Sequence, residues 1–293
     1  MKKTRNILLY TVYGIALALG LLHFRFPAEA YMEYLQDRVR QVDSRFNASA
    51  ESVRPLLPLG LRFVSPRIAM EDRSDAALFK ARSLLVTRRI GGWLKGRNVY
   101  DFDARAYGGG ITGNADLREN DVRAPLSAVV RLDNINLLDH EYLQVIARQP
   151  VSGRLAGTLA FHGVRDRWIE GEGKADLRIL NGRVALKNPV WRFDAIHIDE
   201  ANVVMALKER RLLIERVAFR GKEVEGSMTG TIQLKDVLRE SRLNLRGTVR
   251  PLPSLSKMLG GLLGRSLSSK LKLNTGVSFV IHGTIDEPDI KIM

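Results

Sequence analysis

The chain has 293 residues, 45% hydrophobic, 27% charged and only 7% aromatic, and it contains no cysteine. This is the composition of a folded protein of one large or two modest domains, and it excludes disulfides, thiolate nucleophiles and cysteine-ligated zinc. Forty-six Lys and Arg against 32 Asp and Glu give a formal net charge of +14, which suits an anionic partner: nucleic acid, an anionic lipid surface or an acidic protein face.

The N-terminus reads MKKTRNILLYTVYGIALALGLLHFRFPAEAY. No charge interrupts Ile7 to Leu22, whose apolar body is Ile7, Leu8, Leu9, Ile15, Leu17, Leu19, Leu21 and Leu22. That length is near the lower end of the roughly 17–25 residues that span a bilayer as a helix. Lys2, Lys3 and Arg5 precede the run, which predicts a cytoplasmic N-terminus and export of the remainder. Ala28-Glu29-Ala30 also has the small-x-small form of a signal cleavage site. The segment therefore reads as a retained anchor or a cleaved signal. The long apolar run, with Arg25, Pro27 and Glu29 ahead of the cut, favours a retained single-pass anchor over residues 1–27. Export in either form argues against nucleic acid as the partner.

Tyr31, Leu35, Val39, Val42 and Phe46 recur at steps of three and four. This predicts an amphipathic helix within residues 28–50, opened near Pro27 and packed on the domain that follows. From about residue 51 the period falls to two and stays there to residue 293, predicting one β-rich domain. Strands are expected at LRFVS, ARSLLVT, NVYDFDARAY, SAVVRLDNINL and SRLNLRGTV. GGGITG at 108–113 matches G-x-G-x-x-G, but alternation continues through ITGNADL where a dinucleotide site needs a helix, so it reads as a strand. A short helix is expected near residues 135–148, and another in PLPSLSKMLGGLLGR at 251–265.

Two hairpins are predicted. Asn181-Gly182 in ADLRILNGRVALKN has the preferred composition of a type I′ turn, pairing Ile179 with Val184 and Leu177 with Leu186. The second joins ANVVMALK to LLIERVAF near Glu209-Arg210. Met228, Ile232 and Leu234 share one face of EGSMTGTIQLK, with Ser227, Thr229, Thr231 and Gln233 on the other. Strand glycines such as Gly157 and Gly230 mark bulges or bends. The fold class expected is therefore mainly β: a long, curved, mostly antiparallel sheet with one apolar face and few short helices.

Chemistry-bearing motifs are sparse. The five histidines, His23, His140, His162, His197 and His282, are scattered. His197 and Asp199 make at most half of a metal site. No G-x-S-x-G elbow or Ser–His pairing is visible, and the acidic residues Glu170, Glu172, Asp286, Glu287 and Asp289 stand in turn-like contexts. Basic residues are spread along strands without interleaved aromatics, the opposite of a single-strand nucleic-acid platform. No catalytic residue, metal or cofactor is assigned.

The anchor, FPAEAYMEYLQDRV, and the motifs YGGGITG, GRLAGTLAFHG, GEGKADLRILNGRV, VEGSMTGTIQLKD and HGTIDEPDIKI together resemble the type II secretion system protein N (GspN) family, in its longer form. They also resemble the wider AsmA-like family, across nearly the whole chain. The resemblance implies an inner-membrane protein with its bulk in the periplasm, acting as a non-enzymatic accessory subunit that contacts other secretion-system proteins. The AsmA-like side implies the alternative of a periplasmic lipid-binding or lipid-transfer protein, taking phospholipid or lipopolysaccharide-type lipid in an apolar β-groove. The candidate groove residues are Leu177, Ile179, Val184, Leu186, Met228, Ile232 and Leu234. With about 4.8 Å between strands, a chain of this length suits a shuttle or one segment of an assembly better than a continuous bridge.

Overall fold

The computed structural model describes residues 10, 26–42, 44–56, 59–71, 73–93, 97–117, 123–190, 193–252 and 276–293. The expected anchor over Ile7–Leu22 and most of the apolar segment at 251–265 lie outside these residues. Among the described residues no helix is long and apolar enough to cross a membrane.

Three α-helices occur there: α1 (Ala28–Val42), α2 (Ile90–Trp93) and α3 (Glu141–Ala147). The strands are β1 (Phe46–Ser49), β2 (Ser52–Leu56), β3 (Gly60–Val64), β4 (Arg67–Met70), β5 (Arg73–Lys80), β6 (Ser83–Arg88), β7 (Asn98–Ala106), β8 (Gly109–Leu117) and β9 (Pro125–Asn136). They continue as β10 (Val151–Val164), β11 (Glu172–Val190), β12 (Phe193–Lys208), β13 (Arg211–Arg220), β14 (Val224–Gln233), β15 (Arg242–Pro251), β16 (Val277–Gly283) and β17 (Pro288–Ile292). From β6 to β17 every strand lies beside its successor. With β3 and β2 added next to β6, they make one fourteen-stranded sheet. All its ladders are antiparallel.

Two-residue alternation sets which face each side chain takes. In β9 it is unbroken from Pro125 to Asp133, with the odd positions exposed and Leu126, Ala128, Val130 and Leu132 turned inward. The registers carry this inner face across the whole sheet. One row runs Val53, Phe63, Leu84, Ala104, Ile111, Leu132 and Gly157. It continues through Leu177, Val203, Val217, Met228, Gly247, Phe279 and Ile292. A second complete row runs in parallel from Pro55 and Leu61 through Val130, Leu159, Met205 and Ile214 to Ile281 and Ile290. Neither row contains a polar side chain. The outer face carries ladders such as Glu200–Arg220–Glu225–Arg250, where opposite charges face each other across neighbouring strands.

Several glycines serve phenyl rings. Phe102, Phe219 and Phe279 are each the direct cross-strand partner of a glycine: Gly113, Gly226 and Gly247. A Cβ on any of these three would stand 2.6 Å from the ring Cζ of its partner. The rings lie flat over bare backbone, which keeps the apolar face low and the layer thin.

The sheet coils. Arg148, just ahead of β10, lies 3.4 Å from Asp286 in the β16–β17 turn, although the registers place the two at opposite strand ends and six strand steps apart. Right-handed twist of roughly 20–25° per step turns the strand direction by about 120–150° over six steps, which brings those ends together.

Sequence and structure part in three places. Asn181-Gly182 is no hairpin: β11 runs through it from Glu172 to Val190. The extra residue is taken up as a bulge against β10, between Ser152 and Arg154, with Asn181 at φ 51°. The expected Ile179–Val184 and Leu177–Leu186 pairs are therefore absent. Ile179 faces Leu155 and Ala201, and Val184 faces Val151 and Ile196. Phe46, expected on the helix stripe, instead opens β1, since α1 ends at Val42. Finally β1, β4 and β5 form a separate three-stranded sheet, where one sheet alone was expected.

The second hairpin is present: β12 turns into β13 at Glu209 and Arg210, with φ of 46° and 65°. Neither residue favours the left-handed region. Glu209→Asn, which tolerates it, is expected to raise stability by about 0.5–1 kcal/mol, read as a higher urea midpoint.

Candidate functional site

The inner face has two halves. Over β2–β8 it is covered. Tyr31 of α1 packs beside Phe26 and Tyr34, with ring centroids 5.7 and 6.1 Å away. Burial raises its hydroxyl pKa, and neighbouring Tyr100 of β7 and Tyr34 add to the rise. The three-stranded sheet covers the other end of these strands, where Phe79 joins Leu84, Tyr107 and Ile111 around buried Ala81, Ala104 and Ala106.

Helix α3 holds that small sheet down. Glu141 accepts bonds from the Ala77 amide at 3.0 Å and Lys80 Nζ at 2.8 Å, with Arg67 at 3.7 Å. The Lys80 bond and then the Ala77 bond hold its carboxyl below the usual range. His140 stacks on Tyr107 at 4.9 Å, and its Nδ1 caps α3 by accepting from the Leu143 amide. Burial pushes the imidazole pKa down, outweighing the upward pull of Glu141.

Both groups have depressed pKa values in the folded state. Each therefore contributes stability that is complete above its unfolded pKa and is lost as pH falls through the folded value. Docking of α3 should loosen in two steps, below about 6.5 for His140 and below about 4.3 for Glu141. A fall in the protection factor of the Leu143 amide in acid would report it. His140→Asn, which keeps a capping acceptor, should remove the first step only.

Over β13–β16 the inner face has no comparable cover among the described residues, whereas β10 meets α3 and the turns at 137–139 and 165–170, and β12 meets the latter turn. The substantial contacts of β13, β14, β15 and β16 are all with neighbouring strands. Inward side chains from β10 to β14 stay half-buried, Phe161, Leu177, Ile179, Val203, Val217, Met228 and Ile232 among them. Among the described residues, nine of the eighteen buried apolar ones are alanines, so the interior they form is a thin lining and not a thick core.

Of the seven candidate groove residues, Leu177 and Ile179 on β11 and Met228 and Ile232 on β14 lie along the stretch where β11 to β14 run side by side, whereas Val184 pairs with Ile196 past the end of the β12–β13 ladder. Leu177 and Met228 share one row, three steps apart. Leu234 is different. It lies just past β14, is buried, and donates its amide to the Arg210 carbonyl, closing a strand end. The side chain of Leu186 lies outside the described ones. Alternation in the sequence places Phe161 and Phe279 on apolar strand faces, but neither they nor Phe219 stood among the candidate groove residues; their glycine partners were the available signal.

Where the covered half meets the open half, a cavity of about 300 Å³ is lined by Phe46, Met70, Leu78, Tyr142, Trp168 and Ile169. Its charged rim includes Arg210, which bonds Glu170 at 3.1 Å and Asp236 at 2.6 Å.

Reactive constellations are weak. Among the described residues no group of three or more His, Cys, Asp and Glu could hold a metal. His197 lies 3.7 Å from Glu223, so its nearest acidic partner comes from another strand connection and not from Asp199. One pairing the sequence did not reveal is Ser127 Oγ with His162 Nδ1, 2.8 Å apart across β9 and β10. Both stand exposed on the outer face, as a cross-strand polar pair does.

The chain matches no family among known protein families, no curated protein and no solved structure.

Proposed function

We propose that this protein is a non-enzymatic lipid-binding protein, anchored in the bacterial inner membrane by its N-terminal segment, whose periplasmic sheet forms a groove for acyl chains. The observation that carries the proposal is the pair of apolar rows through all fourteen strands, half-buried where no described element covers them. An apolar face left in water is costly, at about 25 cal/mol per Å², and each methylene placed against it recovers about 0.8 kcal/mol. Thirteen strand spacings give a contour of roughly 60 Å, about twice a bilayer's hydrocarbon thickness, so one phospholipid or lipopolysaccharide-type lipid fills only part of it. That length suits a shuttle or one segment of a longer path.

A photo-crosslinking residue at Leu177 or Met228 of the full chain, activated in cells, is expected to yield lipid adducts. The same residue at Thr158 or Thr229, on the outer face, should yield none. Equal yields at inner and outer positions, or none at either, would sink the proposal.

The second reading is an accessory subunit of the type II secretion system that docks other secretion proteins. It is favoured by the open edge at β17 and by the family resemblance noted above. Adducts of defined protein mass at β17, without lipid at Met228, would decide for it.

A further inference from the structure

The two edges of the large sheet differ. At β2 the edge carries Pro55 and lies against α1, both of which discourage pairing with another strand. At β17 no described strand pairs on the far side. Its residues are exposed throughout, Ile290 at 61% and Ile292 at 76%.

Hydrogen-bond directions along β17 follow from its ladder with β16. The Met293 amide donates to the Ser278 carbonyl at 2.9 Å, and the Thr284 amide to the Glu287 carbonyl at 3.2 Å. Antiparallel ladders alternate, so Asp289 and Lys291 also turn their backbone groups to β16. Pro288, Ile290 and Ile292 turn theirs to the open edge. Proline's missing N–H therefore falls on the outward side and costs β16 nothing.

The sequence Pro-Asp-Ile-Lys-Ile is self-complementary about Ile290. Pairing it antiparallel with a second β17 sets Ile290 opposite Ile290, Asp289 opposite Lys291, and Pro288 opposite Ile292. Both Ile290 residues then exchange N–H and C=O bonds, and each Ile292 amide meets a Pro288 carbonyl. Asp289 and Lys291, already 3.4 Å apart within one chain, become a four-charge network across the two-fold axis. The apolar row that ends at Ile290 continues into its own counterpart in the second sheet, and Ile292 meets the apolar Pro288 ring.

We propose that β17 is a homodimer edge, at which two copies of this chain join antiparallel about Ile290 into one continuous sheet, a closed and isologous contact. It rests on the edge alone and stands whether or not the face binds lipid.

The chain has no cysteine, which makes the register directly testable in the full-length protein. Facing residues at the two-fold axis have Cα atoms about 5.5 Å apart, within disulfide range. Ile290→Cys should give a covalent dimer under mild oxidation. Lys291→Cys alone should not, whereas Lys291→Cys mixed with Asp289→Cys should. Val129→Cys, exposed on the outer face, controls for random collision. Ile290→Pro removes only an outward N–H and should convert the dimer to monomer by sedimentation in detergent. As a check independent of folding at that site, Asp289→Lys and Lys291→Asp chains should each be monomeric and should associate when mixed. A monomeric native chain, or crosslinking at residue 129 as strong as at 290, overturns the proposal.

Discussion

Replacing Gly157 with valine is expected to destabilise the protein by more than about 3 kcal/mol, the range reserved for forced backbone and packing faults. Gly157 sits at φ 150°, a conformation open to glycine and closed to β-branched residues. A Cβ there would clash with the Asp176 carbonyl oxygen and approach the Leu177 Cα to 2.8 Å and its Cδ2 to 3.0 Å. Relief is unavailable, because β10 is paired on both sides: Gly157 faces Leu132 on β9 and Leu177 on β11. The β9 ladder already shifts register between Leu155 and Gly157, and a strand carrying a bulge has little freedom left to move. Urea titration measures the loss as a drop in midpoint. Gly91→Ala is the control, since nothing lies within 4 Å of its added Cβ, and its midpoint should move by less than about 0.5 kcal/mol equivalent.

Met228→Glu should abolish lipid capture while the protein stays folded. Met228 stands between Val217 and Gly247 in a row with no polar side chain, and the ring of Phe279 covers that glycine. A carboxylate in a closed core is forced to find a partner or destabilise by several kcal/mol. On a half-buried face it keeps water and costs less, about 1–2 kcal/mol, yet it places a charge where an acyl chain has to lie. Lipid yield at Leu177 should fall at least tenfold, equivalent to about 1.4 kcal/mol of binding. Thr229→Glu, one residue away on the outer face and opposite Arg246, should leave both fold and yield unchanged. Outright unfolding of Met228→Glu would instead mark this face as an ordinary core.

Much of the architecture was legible because the two-residue period is a local signal. Leu155, Leu159 and Phe161 announce their face without reference to any partner, and Glu209-Arg210 lies where one alternating run ends and the next begins. The failures came where a local signal had two uses. Asn181-Gly182 accepts positive φ in a turn or in a bulge equally well, and only the length of the flanking pairing decides. Here β10 and β12 both continue past it, so the bulge wins. Phe46 keeps the helical spacing from Val42, yet its partner Met70 lies on β4, beyond any local pattern. The site was partly legible for the same reason. Leu177, Ile179, Met228 and Ile232 follow from alternation, whereas the place of Leu234 at a closed strand end rests on its amide bond to the Arg210 carbonyl, which is distant in sequence. The bond from Ser127 to His162 depends on register between two strands.

The sequential order of β6 through β17 also bears on how the molecule comes to exist. Each strand needs only its predecessor as a template, so most loops to be closed are short, those between β9 and β10 and between β15 and β16 excepted, and the entropy of closure stays small. A chain delivered N-terminus first can add strands one at a time to an edge that is already formed, without waiting for its C-terminal half. The unfinished edge is then the aggregation-prone species. During synthesis that edge advances along the chain and comes to rest at β17.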